Sequence, residues 1–184
     1  LDRRPAGASP RGVEMTTLNT GHSEVTTVSP VDMAEQLAGA NDWAVERQGD
    51  DELTMFISGE YTDMQLRVFW REEFKTLQFA CLFDLKVPEV RKADIYQTIG
   101  MINERMWIGH FEYWAEEKAL LYRHASLAND PLLGGIGEDH LITMVETALG
   151  ECERFYPVFQ FVMWGGQTPE EAIEAAMLEC VGSA

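Results

Sequence analysis

The sequence predicts an α+β fold in which helices pack against an antiparallel β-sheet. Between residues 43 and 83, apolar residues recur at every second position and short polar turns separate the runs, a pattern typical of an antiparallel meander. Apolar residues at helical spacing occur once before this segment and three times after it. The predicted order is therefore one helix, three or four strands, a helix, a two-stranded hairpin and two further helices.

The first helix is predicted to begin after Ser29. The hydroxyl of Ser29 can cap the helix, Pro30 suits the first helical position, and Asp32 lies in the first turn, where a negative charge is favourable. Apolar residues follow at helical spacing, and the helix is expected to end near Gly39.

The predicted strands of the meander carry apolar residues on both faces, as Met55 and Phe56 illustrate. One face should meet the helices. The second face is either covered by the chain's own terminal helices, or partly exposed and available to another chain. The sequence is compatible with both arrangements.

Residues 94–126 are predicted to form a helix followed by a β-hairpin. One helical face is formed by Ile95, Ile99, Ile102 and Met106. The segments 107–114 and 119–125 are rich in aromatic and branched residues, which favours strands, and the charged run 116–118 is the predicted turn.

Two helices are predicted to end the chain. A continuous apolar seam runs from Leu141 to Val162, and Pro157 within it should kink or split the helix near residues 153–156. The sequence from Thr168 to Glu171 has the form of a capping box and should start the last helix.

The domain organisation is predicted as a disordered N-terminal tail, residues 1–28, followed by a single domain, residues 29–182. The tail contains Pro, Gly, Ser and Thr with hardly any apolar pattern. The first residue is Leu rather than Met, and Met15 offers an alternative start, so the tail is left out of the fold argument.

The charge balance of the chain is strongly acidic. With 31 acidic and 14 basic side chains, the formal net charge is −17. Such a surface repels phosphate backbones and anionic membranes, so we expect neither nucleic acid nor a membrane as a partner. The charge either serves solubility or attracts a basic partner.

The expected location is the cytoplasm. Cys81, Cys152 and Cys180 lie singly within apolar segments, and isolated thiols of this kind fit a reducing compartment. No run of apolar residues approaches the length of about 20 that a membrane span needs.

His110, Glu112 and His124 form the sharpest cluster of chemically active residues. If the hairpin turned symmetrically about Glu117, His110 would face His124 across the strands, with Glu112 on the same face. Two imidazoles and a carboxylate can hold a divalent metal, but ordinary sheet histidines explain the pattern equally well. No nucleophile accompanies these residues, so we predict no catalytic residues, no cofactor and no enzymatic activity.

Four aromatic residues of the hairpin region are candidates for binding a protein partner, because aromatic side chains dominate interface hot spots. The alternative is that they belong to the core. The set consists of Trp107, Phe111, Tyr113 and Trp114.

Three stretches carry a family resemblance. They are INERMWIGHFEYW (residues 102–114), LLYRHA (120–125) and ECERFYPVFQFVMWGGQTPEEAI (151–173). Together they resemble the YbjN family of bacterial proteins, in wording similar to alphaproteobacterial members. The resemblance covers residues 30–181, nearly everything outside the tail.

The resemblance implies a fold like that of the type III secretion chaperones, commonly found as a homodimer. The family is described as a "putative bacterial sensory transduction regulator", a description that assigns no reaction, ligand or catalytic residue. Its matching positions have structural explanations. Asn103 can bond backbone at the helix exit, Gly109 permits close packing, and Arg123 can pair with an acid.

The leading hypothesis is a cytoplasmic, dimeric, non-enzymatic protein that binds an unidentified protein partner through an apolar surface, as a chaperone-like or regulatory adaptor. The alternative is a regulator that responds to a small molecule or a metal through the polar face bearing His110, Glu112 and His124.

Overall fold

The structure is a computed structural model that describes residues 28–128 and 136–182, with residues 177–182 described by their backbone alone. Two short 3-10 helices, Glu72–Phe74 and Glu89–Arg91, connect larger elements. In chain order, those larger elements are α1 (Pro30–Ala40), β1 (Ala44–Arg47), β2 (Glu52–Ser58), β3 (Asp63–Arg71), β4 (Thr76–Lys86), α2 (Lys92–Asn103), β5 (His110–Trp114), β6 (Ala119–Leu127), α3 (Glu138–Met163) and α4 (Pro169–Gly182).

The predicted α+β class and element order are confirmed, with four strands in the meander. The prediction of a disordered tail falls on residues 1–27, which lie outside the described part of the chain, apart from its last residue, Val28.

The six strands form one antiparallel sheet in the order β1-β2-β3-β4-β6-β5, with β1 and β5 at its edges. Directly paired residues share a face of the sheet. One row of paired residues crosses the sheet from β2 to β5 and is at most 1% exposed: Met55, Leu66, Cys81, Tyr122 and Phe111. We call the face that carries this row the helix-covered face.

Buried residues from all four helices join the helix-covered face in one hydrophobic core. The other side of the sheet, which we call the open face, has a separate small cluster of Ala80, Leu82 and Leu121, with Phe69 and Trp114 packed against it. This cluster contains no helical residue. Within residues 28–128 and 136–176, the helices therefore do not supply a second layer, and the open face remains available.

Side-chain caps start the first and last helices as predicted. The Val31 N–H donates to Ser29 Oγ over 3.3 Å at the start of α1. At the start of α4, the Thr168 N–H donates to the Glu171 side chain over 2.9 Å, and the Glu171 N–H donates to Thr168 Oγ1 over 3.3 Å. This reciprocal pair is a capping box, which satisfies backbone donors that the helix leaves free.

The helix α3 runs from Glu138 to Met163 with Pro157 inside it, so the expectation that proline would split the helix is wrong. Residues on both sides of Pro157, among them Phe155 and Phe159, are buried in the core. Packing on both sides holds the helix together, because tertiary burial contributes more to helix stability than one backbone hydrogen bond.

Candidate functional site

The register of the β5–β6 hairpin differs by one residue from the expected one. His110 pairs with Arg123 and not with His124. The reason lies in the turn at residues 115–118, where Lys118 adopts a left-handed conformation with φ of 52° and shortens the connection. The sequence has no Gly or Asn at this position to announce such a turn.

A one-residue shift moves a side chain to the opposite face of a sheet. His110 and Glu112 therefore lie on the open face, whereas His124 lies on the helix-covered face. The three residues of the predicted metal site do not converge. Among the residues that the structure describes, no group of three His, Cys, Asp or Glu side chains could hold a metal ion.

On the open face, Glu112 links the hairpin strands. One of its oxygens lies 2.6 Å from Arg123 Nη2, and the other lies 3.6 Å from His110 Nε2. The expected pairing of Arg123 with an acid is confirmed. The Nε of Arg123 is buried without a hydrogen-bond partner, so Glu112 fixes the guanidinium through its outer edge alone.

His124 lies beneath α3, near His140. Burial lowers the pKa of His124, and the charges of His140 and His110 lower it further, so the imidazole is neutral at pH 7. Together with Ile108, these residues border a shallow groove of about 330 Å³ between the hairpin and the first turns of α3. The Nε2 of His140 lies 3.0 Å from Ser126 Oγ, which holds this ring against β6.

The four aromatic candidates separate into three environments. Phe111 is 1% exposed and stacks within the core, and Tyr113 packs edge-on against Tyr96 on the helix-covered side. Trp114 packs on the small cluster of the open face. Trp107 is 99% exposed. Only Trp114 and Trp107 therefore lie where a partner could contact them without unpacking the core.

The loop that carries Trp107 is held by buried polar contacts. Asn103 receives the Phe111 N–H at 2.8 Å and donates to the Phe111 carbonyl at 3.0 Å, as the resemblance implied. The hydroxyl of Tyr122 donates to the Ile108 carbonyl over 3.1 Å. These contacts fix both ends of the loop.

Gly109 closes this loop in a conformation that suits glycine. Its φ is 67°, in the left-handed region. A Cβ at this position would lie 2.7 Å from Tyr122 Cε2 and closer still to the Tyr122 Oη. The close packing expected of Gly109 is thus confirmed, since no larger residue leaves room for the Tyr122 ring.

A groove of about 660 Å³ crosses the open face near the ends of β2, β3 and β4. Its floor includes Phe56, which is 40% exposed, and Leu82. Arg67 and Lys86 supply its two basic groups. Its carboxylates come from Asp42, Asp63, Asp84 and Glu117.

The charges of this groove are largely unpaired. Within the described residues, the carboxylates of Asp42, Asp63 and Asp84 and the guanidinium of Arg67 make no hydrogen bond or ion pair. Lys86 donates to the backbone carbonyl of Glu117 over 3.2 Å. Four carboxylates against two basic groups leave the groove net negative.

The sequence matches the model of a known family over residues 30–161, more than half of its length. The description of that family is YbjN, "putative bacterial sensory transduction regulator". The chain belongs to the YbjN family. The resemblance drawn from the sequence motifs is confirmed.

Among solved structures, the fold of this YbjN-family chain is similar to a crystal structure of YbjN from E. coli, whose description is "a putative transcription regulator". The sequence identity is 10%, the TM-score is 0.45, and the match covers 83% of this chain and 92% of that chain. No curated protein matches the sequence.

Sequence reasoning missed the open-face groove. The signal was present as strand parity, because Asp63 and Arg67 alternate with the buried side chains of β3, and Asp84 does so in β4. The relative positions of these strands were needed to bring the charges together, and only the register supplies them.

Two thiols of this YbjN-family chain meet within the core. Cys81 on β4 and Cys152 on α3 are both free and buried. Burial raises the pKa of Cys152, as does its contact with Cys81, so the thiol stays protonated. The side chain of Cys180 lies outside the described residues.

In the described part of the chain, every helix is too short or too polar to cross a bilayer.

Proposed function

We propose that this YbjN-family protein is a non-enzymatic regulator that binds an apolar and basic segment of another protein on its open sheet face. The observation that carries the proposal is the open-face groove, in which an apolar floor is bordered by unpaired carboxylates. The family description as a sensory transduction regulator supports a role in regulation.

The apolar part of the open face supports binding through burial. Phe56 is 40% exposed and Leu127 is 65% exposed, and both share this face with the cluster around Leu82 and Leu121. Covering apolar surface stabilises a complex by about 2.5 kcal/mol for each ~100 Å² removed from water. Aromatic residues such as Phe56 and Trp114 are the kind of side chain that anchors an interface.

The charge of the groove selects the chemistry of the partner. Asp42, Asp63 and Asp84 have no partner within the described residues, so lysine or arginine side chains could pair with them without displacing an existing ion pair. The net charge of −17 would also accelerate the approach of a basic segment.

Two features support a binding role over catalysis. The Cys152 thiol is buried and protonated, and His110 and His124 lie on opposite faces of the sheet, so these groups do not act together on one substrate. The free thiols Cys81 and Cys152 also support a cytoplasmic location.

A direct test compares short peptides that differ in one property. One peptide combines leucine and lysine, the second combines leucine and glutamate, and the third combines serine and lysine. Fluorescence anisotropy with the full chain should show binding of the leucine–lysine peptide alone. Equal binding of the serine–lysine peptide would refute a role for the apolar floor.

The matched variants change the same amount of charge at two places. Asp63→Lys with Asp84→Lys alters the groove, and Glu104→Lys with Glu146→Lys alters exposed carboxylates elsewhere. The groove variant should weaken peptide binding at least about 10-fold, as the loss of two charge pairs predicts. Equal weakening by the control variant would show that only the overall charge matters, and would refute the proposed site.

A further inference from the structure

Trp107 is the most exposed apolar side chain of the described residues, at 99%. Tryptophan combines the largest apolar side chain with a single donor, and in a stable protein it is usually packed against other groups. Its neighbour Ile108 is 49% exposed. An exposed pair of this kind marks a contact surface more often than a lone surface leucine does.

The loop around Trp107 is preorganised. The two Asn103 hydrogen bonds to Phe111, the Tyr122 hydrogen bond to Ile108 and the left-handed Gly109 hold its backbone. A partner that bound Trp107 would therefore not have to order the loop. Fixing a binding element in advance strengthens binding, because the entropy of ordering is not lost at association.

A receptor of suitable size lies on the same surface. Ile108 forms one wall of the groove of about 330 Å³, and His124, Thr143 and Met144 form others. This volume lies at the lower end of the range of about 300–1,000 Å³ for pockets that hold small organic groups. Trp107 does not fill the groove of its own chain, since the indole is almost fully exposed.

We propose that two copies of this protein pair about a two-fold axis beside Ile108, each placing Trp107 in the groove that Ile108, His124 and Thr143 form on the other copy. Trp107 and Ile108 are consecutive residues, so the projecting side chain and the groove are next to each other on one surface. A patch that carries both a projection and its receptor is self-complementary, and such patches close into symmetric dimers.

The second copy fits this surface better than the basic partner of the open face. The charges of Glu104 and Arg105 next to Trp107 cancel, in contrast to the net negative open-face groove. Each copy carries a net charge of −17, so the apolar contact must overcome repulsion between chains. Added salt should therefore tighten the dimer by screening that repulsion. The dimer goes beyond the proposed function and does not depend on it.

Analytical ultracentrifugation of the full chain tests the pairing. The wild-type chain should dimerise, and Trp107→Ala should weaken dimerisation at least about 100-fold, because each dimer loses two anchoring tryptophans. Trp164→Ala is the matched control, since Trp164 is 59% exposed at the end of α3 and should dimerise as the wild type does. A monomeric wild-type chain, or an unchanged Trp107→Ala dimer, would overturn the proposal.

Filling the groove gives a second, independent variant. Thr143→Arg should block the groove and weaken dimerisation to a similar extent, whereas Glu146→Arg places the same side chain on α3 outside the groove lining and should not. A Thr143→Arg chain that dimerises normally would contradict the predicted seat of Trp107.

Mixing the two defective variants distinguishes pairing from a loss of folding. A Trp107→Ala chain keeps its groove, and a Thr143→Arg chain keeps its tryptophan, so the mixture retains one of the two contacts. Native mass spectrometry should show mainly the mixed dimer, bound about 10-fold more weakly than the wild-type dimer if the two contacts contribute equally. Failure to form the mixed dimer would overturn the reciprocal geometry, whatever the fate of the open-face groove.

Discussion

Replacing Gly109 with alanine tests how the loop of Trp107 is held. The backbone at Gly109 has a φ of 67°, and an added Cβ would lie 2.7 Å from Tyr122 Cε2. The left-handed conformation costs about 1–2 kcal/mol for a residue with a side chain. Displacing the fully buried Tyr122 ring adds about 1–3 kcal/mol of overpacking. The free energy of unfolding should therefore fall by about 2–5 kcal/mol.

Urea denaturation followed by circular dichroism measures this loss. With a denaturant slope near 2 kcal/mol/M, the midpoint should fall by about 1–2.5 M. Gly100→Ala is the matched control, because Gly100 lies inside α2 and no atom within 4 Å would meet the new Cβ. That variant should gain about 0.5–1 kcal/mol from helix propensity. A Gly109→Ala chain as stable as the wild type would refute the packing argument.

Three further predictions concern buried groups. Asn103→Ala removes both hydrogen bonds to Phe111 and should lower the free energy of unfolding by about 1–3 kcal/mol, whereas Asn103→Asp keeps the acceptor and should lose less; equal losses in denaturation would contradict this. The pKa of His124 is lowered from 6.5 in the folded protein, so the unfolded chain binds its proton more readily, and stability should fall as the pH drops from about 7 to 5. His124→Gln should flatten that part of the stability curve, and an unchanged slope would count against it. The Cys152 thiol should resist alkylation until urea unfolds the chain; mass spectrometry showing rapid native modification would refute its burial.

Local sequence patterns predicted the elements because their causes are local. The alternation in β2, β3 and β4 reflects a sheet with one deeply buried face, and the capping boundaries at Ser29 and Thr168 depend on residues one to three positions away. These features need no knowledge of what packs against them.

The errors arose where distant packing decides the outcome. The hairpin register depends on a left-handed Lys118, which no residue type signals, and this shift by one position separates His110 from His124. Likewise, α3 passes through Pro157 because the core holds both halves in place.

The candidate surfaces were predicted only in part, for the same reason. Trp107 was grouped with Phe111 because both occur in one aromatic segment, yet one is 99% exposed and the other 1%. The helix exit at Asn103 and the turn at Gly109 decide which of them faces water, and both act through contacts with other strands.

The edge strand β1 has a consequence for behaviour at high concentration. It has four residues, all exposed, and Arg47 is drawn towards α1 by Asp32 at 2.8 Å and Glu35 at 2.5 Å. A short, charged edge offers few backbone groups to an incoming strand, which is how native sheets avoid growing into fibrils. Such growth from β1 would have to dismantle these ion pairs first, so concentrated solutions should remain free of filaments while the native state persists.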